Sequence, residues 1–239
     1  MGNMVELNGG SRDETVRPPR HRINVCIPHG SQYDINAATE VVNDACSKIE
    51  KDTTETDLVI SIDGNREIRS WPNGVNVQDI GRWERALRRL ERIDAPIVAA
   101  ISDTCGGPEF DLALIADYRI GSPQAEMCPP MNDGLFWPGM SLYRLVHQCG
   151  LTRARQIVLW GKKMNAELCV NNGIFDEISS DLDAAVEKFR NSITLPREFA
   201  IRRRLILDAA YTPYEEAIGT QLAACDRELR RMYPRAYGA

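Results

Sequence analysis

Apolar positions alternate between two periods along the first two thirds of the chain. Ile23-Asn24-Val25-Cys26-Ile27 is a short β-type run closed by Pro28-His29-Gly30. Ala38, Val41, Val42, Ala45 and Ile49 then recur at three-four spacing, the stripe of a helix with one buried face, with Asp34 or Asn36 as its cap. Leu58 to Ile62 reads as a buried strand stopped by Asp63-Gly64-Asn65. The segment from Arg66 to Val77 holds Trp71-Pro72-Asn73-Gly74 and neither period, so a loop is expected. A strongly amphipathic helix follows at about residues 79–93, with Ile80, Trp83, Leu87 and Leu90 on one face. Its arginines, Arg82, Arg85, Arg88, Arg89 and Arg92, are interrupted by Glu84 and Glu91, which suits a solvated charged face better than an anion site. Pro96 opens the next strand, Ile97 to Ile101. Two β-α-β units are complete at that point.

Cys105-Gly106-Gly107-Pro108 then leads into a helix over residues 109–116. Glycines permit a tight turn, and proline suits the first helical position because its missing N–H would lack a partner anyway. A strand, a glycine turn and a helix N-terminus aim free N–H groups at one spot, an arrangement able to hold an anion or an oxyanion. Tyr118 to Ile120 and Ala125 to Cys128 read as short strands. Met131 to Gly139 is a loop rich in large apolar residues, suited to lining a pocket or interface or to packing under a helix. Helices are expected at about 139–148 and 152–160, closed by Gly150 and Gly161, with Thr152 capping the second. A short helix from Asn165 to Asn172-Gly173 precedes a strand, Ile174 to Ile178, and the remainder is helical. The expected organisation is a flexible N-terminal tail over residues 1–22, an α/β core over 23–180 and a helical region over 181–239.

Composition narrows the chemistry. With 43% apolar and 26% charged residues in 239, the chain is an ordinary globular one. The net charge of -5 gives no global attraction to nucleic acid or to an anionic membrane, so neither is expected as a partner. The three histidines, His21, His29 and His147, are too dispersed for a metal site, which leaves proton transfer to carboxylates. Seven scattered cysteines without a C-x-x-C pair suit reduced thiols of a cytoplasmic protein. The first 22 residues lack the apolar segment of a secretory signal, and no apolar run approaches membrane-spanning length. No Gly-x-Ser-x-Gly elbow marks a serine hydrolase.

The segment Pro96 to Ile101, the Gly106-Gly107 turn and Asp111-Leu112-Ala113-Leu114-Ile115-Ala116-Asp117-Tyr118-Arg119-Ile120 together resemble the crotonase, or enoyl-CoA hydratase/isomerase, superfamily. Pro138-Gly139 with Arg144-Leu145, and Ala166-Glu167-Leu168 before Gly173-Ile174, extend the resemblance over about residues 23–233. Trp83 to Arg92, the Cys-Gly-Gly turn and Trp137 to Leu145 are most similar to the small hydratase-like proteins of dihydroxyphenylglycine biosynthesis, which work beside a type III polyketide synthase. The resemblance implies a crotonase-like spiral of β-β-α units with a helical C-terminal trimerisation region, hence a homotrimer or hexamer. It also implies an acyl-CoA thioester as ligand, with CoA entering as part of the substrate and no other cofactor. Two backbone N–H groups would hydrogen-bond the thioester oxygen as it becomes an enolate, each worth about 3 kcal/mol of barrier.

Carried over by position, these functions meet departures. The first oxyanion donor falls in the loop around Ser70 and Trp71, and the second on Pro108, which has no N–H, leaving Gly107 as a displaced donor. The family's first catalytic glutamate falls on Asp111, one methylene shorter, and its second on Met131, with Asp133 two residues on. Two main readings follow, with thioester hydrolysis or double-bond isomerisation as the remaining alternative. One is an enoyl-CoA hydratase-like lyase that hydrates or dehydrates a polyketide-derived thioester with Asp111 and Asp133. The other is a catalytically degenerate accessory partner of the polyketide synthase. Arg202, Arg203 and Arg204 are within the range of choices for CoA phosphates, although a basic helix face is more simply solvated.

Overall fold

Parallel strands buried on both faces form the centre of the molecule, as the near-continuous apolar runs at residues 58–62 and 97–101 require. A computed structural model describes residues 20–27, 34–52, 55–64, 74–129, 131–132, 135–136, 139–195 and 198–234. In chain order the elements are β1 (His21–Cys26), α1 (Ile35–Lys51), β2 (Thr56–Ile62), α2 (Val77–Leu90), β3 (Ile97–Ile101), β4 (Thr104–Cys105), α3 (Gly107–Ile115), β5 (Tyr118–Gly121) and β6 (Glu126–Met127). There follow β7 (Met131–Asn132), β8 (Leu135–Phe136), α4 (Ser141–Val158), β9 (Met164–Asn165), α5 (Ala166–Asn171), β10 (Glu177–Ile178), α6 (Leu182–Ser192), α7 (Phe199–Ala209) and α8 (Tyr214–Met232). No helix among the described residues is long and apolar enough to cross a membrane.

The main sheet has the order β1-β2-β3-β5-β10 and is parallel throughout, with Cys26 level with Ser61 and Ile62 level with Ile101. Helices α1, α2 and α3 cover one face through Ala38, Val42, Trp83, Leu87, Phe110 and Leu114. The other face is covered by α6, whose Ala185 and Val186 meet Val59, Val98 and Ile120, while Phe189 stacks on Tyr118 at 3.9 Å between ring centroids. Two small sheets, β4-β6-β9 and β7-β8, lie beyond.

Capping chemistry sets the helix boundaries. Asp34 is the cap of α1, its carboxylate accepting from the Asn36 N–H at 2.8 Å. Asn76 and Asp79 form a reciprocal capping box, so α2 starts at Val77, two residues before the expected start at 79, and ends at Leu90 rather than at 93. The two helices expected at 139–148 and 152–160 are present within α4, which breaks between them at Gly150 with φ 77°. Of the strand expected at 174–178 only Glu177 and Ile178 join the ladder, since Ile174 and Phe175 turn into the core. The loop expected at 131–139 contains the antiparallel pair β7-β8.

Two expected boundaries move. Strand β1 begins at His21, inside the segment read as a tail, because its last residues are tied down electrostatically. Arg20 and Arg190 both place Nε 2.9 Å from Asp57 Oδ2, and each guanidinium also reaches the other residue's carbonyl oxygen. The same clamp fastens α6 to the sheet, so α6 belongs to the core rather than to a separate C-terminal region. Asp57 is fully buried, and removing one partner of a buried ion cluster leaves uncompensated charge. Asp57→Ala is therefore expected to lower stability by about 3 kcal/mol, and Arg20→Ala by less, because Arg190 still neutralises the carboxylate. Urea unfolding of the two variants followed by circular dichroism checks the order.

Candidate functional site

The parallel strands deliver their carboxyl ends to one edge of the sheet, where α/β proteins bind ligands. Cys26 ends β1, Asp63 follows β2, and Ser102 follows β3. The Ser102 N–H donates to the Ile62 carbonyl at 2.9 Å and its hydroxyl to the Asp63 carbonyl at 3.0 Å, which locks the two strand ends together. Gly64 has φ +57° and lies against the backbone of Thr104, where a Cβ would come within 2.4 Å of the carbonyl oxygen. Asp63 is thereby held beside β4, the strand that runs into the glycine turn.

That turn behaves as its sequence dictates. Gly106 is extended, Gly107 adopts φ 54° in the left-handed region, and Pro108 enters the first turn of α3. Every residue of α3 from Gly107 to Ile115 is buried, so the N–H groups of its first turn lie in a dry environment, where a donor is worth most to a developing anion. Pro108 donates nothing there.

Two carboxyl groups on α3 have opposite surroundings. They lie two residues apart, about 200° around the helix, and so face different neighbours. Asp111, the residue expected to transfer protons, is fully buried in the joint between α2, α3 and α4. Its Oδ1 accepts from Ser141 Oγ at 2.7 Å and from Arg144 at 3.0 Å, and its Oδ2 from Trp83 Nε1 at 3.3 Å. Arg144 also pairs with Glu84 at 2.7 Å and Glu91 at 3.5 Å. Burial pushes the Asp111 carboxyl up while Arg144 pulls it down. The structure thus places Asp111 in a helix-packing ion cluster.

Glu109 occupies the other side. It is only 6% exposed, and burial, reinforced by the charge of Asp63, pushes its carboxyl up to about 8. Asp63 itself is exposed. The Cys26 thiol, also exposed, lies 3.8 Å from Asp63 Oδ2, and burial together with Asp63 and Glu109 raises its pKa. Cys105 is buried and raised well above the ordinary thiol range. Neither cysteine is therefore an activated nucleophile.

Of the remaining expected site residues, Gly107 stands at the turn, whereas Ser70, Trp71 and Asp133 lie outside the described residues. Met131 stands in β7, opposite Phe136. Arg203 is at the amino end of the sheet, bonded to Asp117 and to the carbonyls of Ile93 and Ala95, so it does not reach the carboxyl edge. Arg202 pairs with Glu228 and Arg204 with Asp208. On α2, Arg82, Arg88 and Arg89 pair with Asp79, Glu91 and Glu50, as a solvated charged face would. Glu109 is the residue that sequence patterning passes over. Its visible signal is an acid in the first turn directly after Gly-Gly-Pro, and what isolates it from solvent comes from distant segments.

A family model described as "Enoyl-CoA hydratase/isomerase" matches residues 79–229, more than half of the chain. A protein named "Enoyl-CoA-hydratase" from Amycolatopsis orientalis is 34% identical over 197 residues, covering 82% of this chain and 90% of that protein. Among solved structures, an enoyl-CoA hydratase from Mycobacterium smegmatis superposes with a TM-score of 0.74 at 16% identity, covering 89% of each chain. One from Shewanella pealeana gives 0.70 at 15% identity, covering 81% of this chain and 78% of that one. The latter two likenesses speak to the fold alone.

The raised Glu109 carboxyl has a stability consequence. An acid whose folded-state pKa lies above its unfolded value favours the folded state fully only below the unfolded pKa, near 4.5, and that contribution is lost as pH rises toward 8. Glu109→Gln removes the loss. Its stability should exceed that of the wild type by a margin that grows between pH 5 and pH 8 to about 3–5 kcal/mol. Urea midpoints across this range check it; a constant offset would contradict the burial of an ionisable Glu109.

Proposed function

Because the chain belongs to the enoyl-CoA hydratase/isomerase family, we propose that it binds an acyl-CoA thioester at the carboxyl edge of the main sheet and adds water to, or removes it from, the acyl chain. One observation carries this reading: a fully buried helix N-terminus, reached through a left-handed glycine, opens beside carboxyl groups at that edge. The Gly107 N–H is the donor assigned to the thioester oxygen, and a second is expected from the loop holding Ser70 and Trp71. Charge that develops on this oxygen in an enolate meets preorganised dipoles in a dry site, which lowers the barrier by about 3 kcal/mol for each well-placed donor. CoA arrives with the substrate, and the reaction needs no further cofactor.

The acyl chain we assign is polyketide-derived, on the likeness of Trp83 to Arg92 and Trp137 to Leu145 to the hydratase-like proteins of dihydroxyphenylglycine biosynthesis. In a cyclised poly-β-keto chain, loss of water is favoured by the aromatic product, so modest acid-base help suffices. A second reading is favoured by a specific pair of observations. Pro108 lacks the N–H its position calls for, and Asp111 is committed to Arg144. A protein so altered would bind the thioester and assist a type III polyketide synthase without turning it over. In either case we assign a cytoplasmic setting, supported by seven free thiols. We also assign a homotrimer or hexamer, supported by α8, which buries none of its own residues and exposes Leu222 and Met232.

Cys26 provides a reporter for the ligand. Acetyl-CoA at saturation is expected to bind with measurable heat and to slow alkylation of Cys26 at least about fivefold, while the exposed Cys225 on α8 reacts unchanged. Calorimetry and peptide mass spectrometry read the two effects. Equal protection of both thiols, or of neither, would contradict a thioester site at the carboxyl edge. Hydration of crotonyl-CoA then separates the readings: turnover supports the enzyme, and binding with stimulation of the synthase but no turnover supports the accessory partner.

A further inference from the structure

Adding water across a conjugated thioester requires one group that takes a proton from water and another that delivers one to the carbon beside the carbonyl. The side chain for the second task has to stand next to the oxyanion donors, because that carbon is two bonds from the thioester oxygen. Asp111 leaves the turn on the wrong side of α3 and is held by Arg144, Ser141 and Trp83. Glu109, two residues earlier and about 200° away around α3, leaves the helix on another side, buried, within one turn of the Gly107 N–H and just after the β4 segment that Gly64 holds beside Asp63.

We propose that proton transfer in this site belongs to Glu109, at the start of α3, with Asp63, at the end of β2, as the second carboxylate, and that Asp111 is a packing residue. The proposal rests on the thioester reading above. Both backbones are fixed in relation to each other: Gly64 abuts Thr104, and the Ser102 hydroxyl holds the Asp63 carbonyl. In hydration, the water oxygen bonds to C3 as Asp63 takes its proton. The C2–C3 π electrons move to the thioester oxygen as an enolate, and Glu109 gives its proton to C2 as the enolate collapses. The proton on Asp63 returns to Glu109 through water, and dehydration runs in reverse. Burial suits Glu109 to the giving role, since it keeps the group protonated near neutral pH.

The test uses the full chain as wild type, Glu109→Gln, Asp63→Asn and Asp111→Asn, each checked for folding by circular dichroism and for acetyl-CoA binding by calorimetry. Two rates are read: hydration of crotonyl-CoA, and exchange of the C2 protons of butyryl-CoA with D2O by NMR. Glu109→Gln should slow both by about a hundredfold or more with acetyl-CoA affinity within threefold. Asp63→Asn should slow hydration at least about tenfold while leaving C2 exchange within threefold, a split that loss of structure would not produce. Asp111→Asn should retain C2 exchange within about tenfold once its lower thermal stability is allowed for. C2 exchange within threefold of wild type in Glu109→Gln would overturn the proposal, as would a wild type that binds acetyl-CoA yet exchanges no C2 proton. Failure of the wild type to bind acetyl-CoA at all would instead overturn the thioester reading, and this assignment with it.

Discussion

A helix enclosed on every side cannot carry a bare charge, and much of this molecule follows from how α3 meets that constraint. It bears two carboxyl groups, and desolvating an ionised carboxylate costs several kcal/mol even after relaxation. Asp111 is answered by a guanidinium: Arg144 enters from α4, bringing Glu84 and Glu91 of α2 and its C-terminal turn into one cluster. Three helices are thereby fixed in register around a charge none of them could bury alone. At Glu109 burial dominates, reinforced by the charge of Asp63. The uncharged form is the favourable answer there, and a protonated acid next to a helix N-terminus is a chemical resource as well as a packing solution.

The backbone around that resource is as constrained as the charges. Gly64 is needed twice, for its positive φ and for its contact with Thr104. Gly107 is needed for the left-handed step into α3. Pro108 stiffens the first turn but withholds one N–H, so the turn gains rigidity and loses a donor. On the proposed reading such a change weakens oxyanion stabilisation without disturbing the fold, so family membership and a departure from the expected donor set can coexist.

How much of this was legible in the sequence depended on whether the determinant was local. The buried strands at 58–62 and 97–101 were legible because a strand covered on both faces needs a continuous apolar run. Asp34 as a cap and the glycine turn at 106–107 were legible because caps and left-handed steps have chemical signatures within a few residues. Helix α2 started early because Asn76 and Asp79 cap each other, a pairing that lies just outside the apolar stripe. The clamp of Arg20 and Arg190 on Asp57 spans most of the chain, so nothing local announced that β1 begins at His21. The site was divided in the same way. Its turn was legible, but the surroundings of the two carboxyl groups on α3 were not, since alignment to a family motif supplies a position and not the direction in which a side chain leaves the helix.

The C-terminal helices show the same separation between what a period predicts and what tertiary contacts decide. All three read as helices, yet they do different work. Ala185 and Val186 of α6 close the second face of the sheet. Helix α7 is anchored by Arg203, whose guanidinium satisfies Asp117 and two carbonyls at the amino end of β3 and β5, and by the Ala200 N–H, which donates to Asp94 at 3.0 Å. Asp117 in turn accepts the Ile97 N–H at 2.8 Å, so the anchor of α7 also sets where two central strands begin. Helix α8 follows a tight turn and buries nothing of its own. Its stability within the chain comes from α7 and from ion pairs such as Arg231 with Glu198 at 2.6 Å. Exposed pairs of that kind are worth at most about 1 kcal/mol each, too little to hold a 19-residue helix in place. The proposed assembly would cover its exposed apolar residues, Leu222 and Met232 among them.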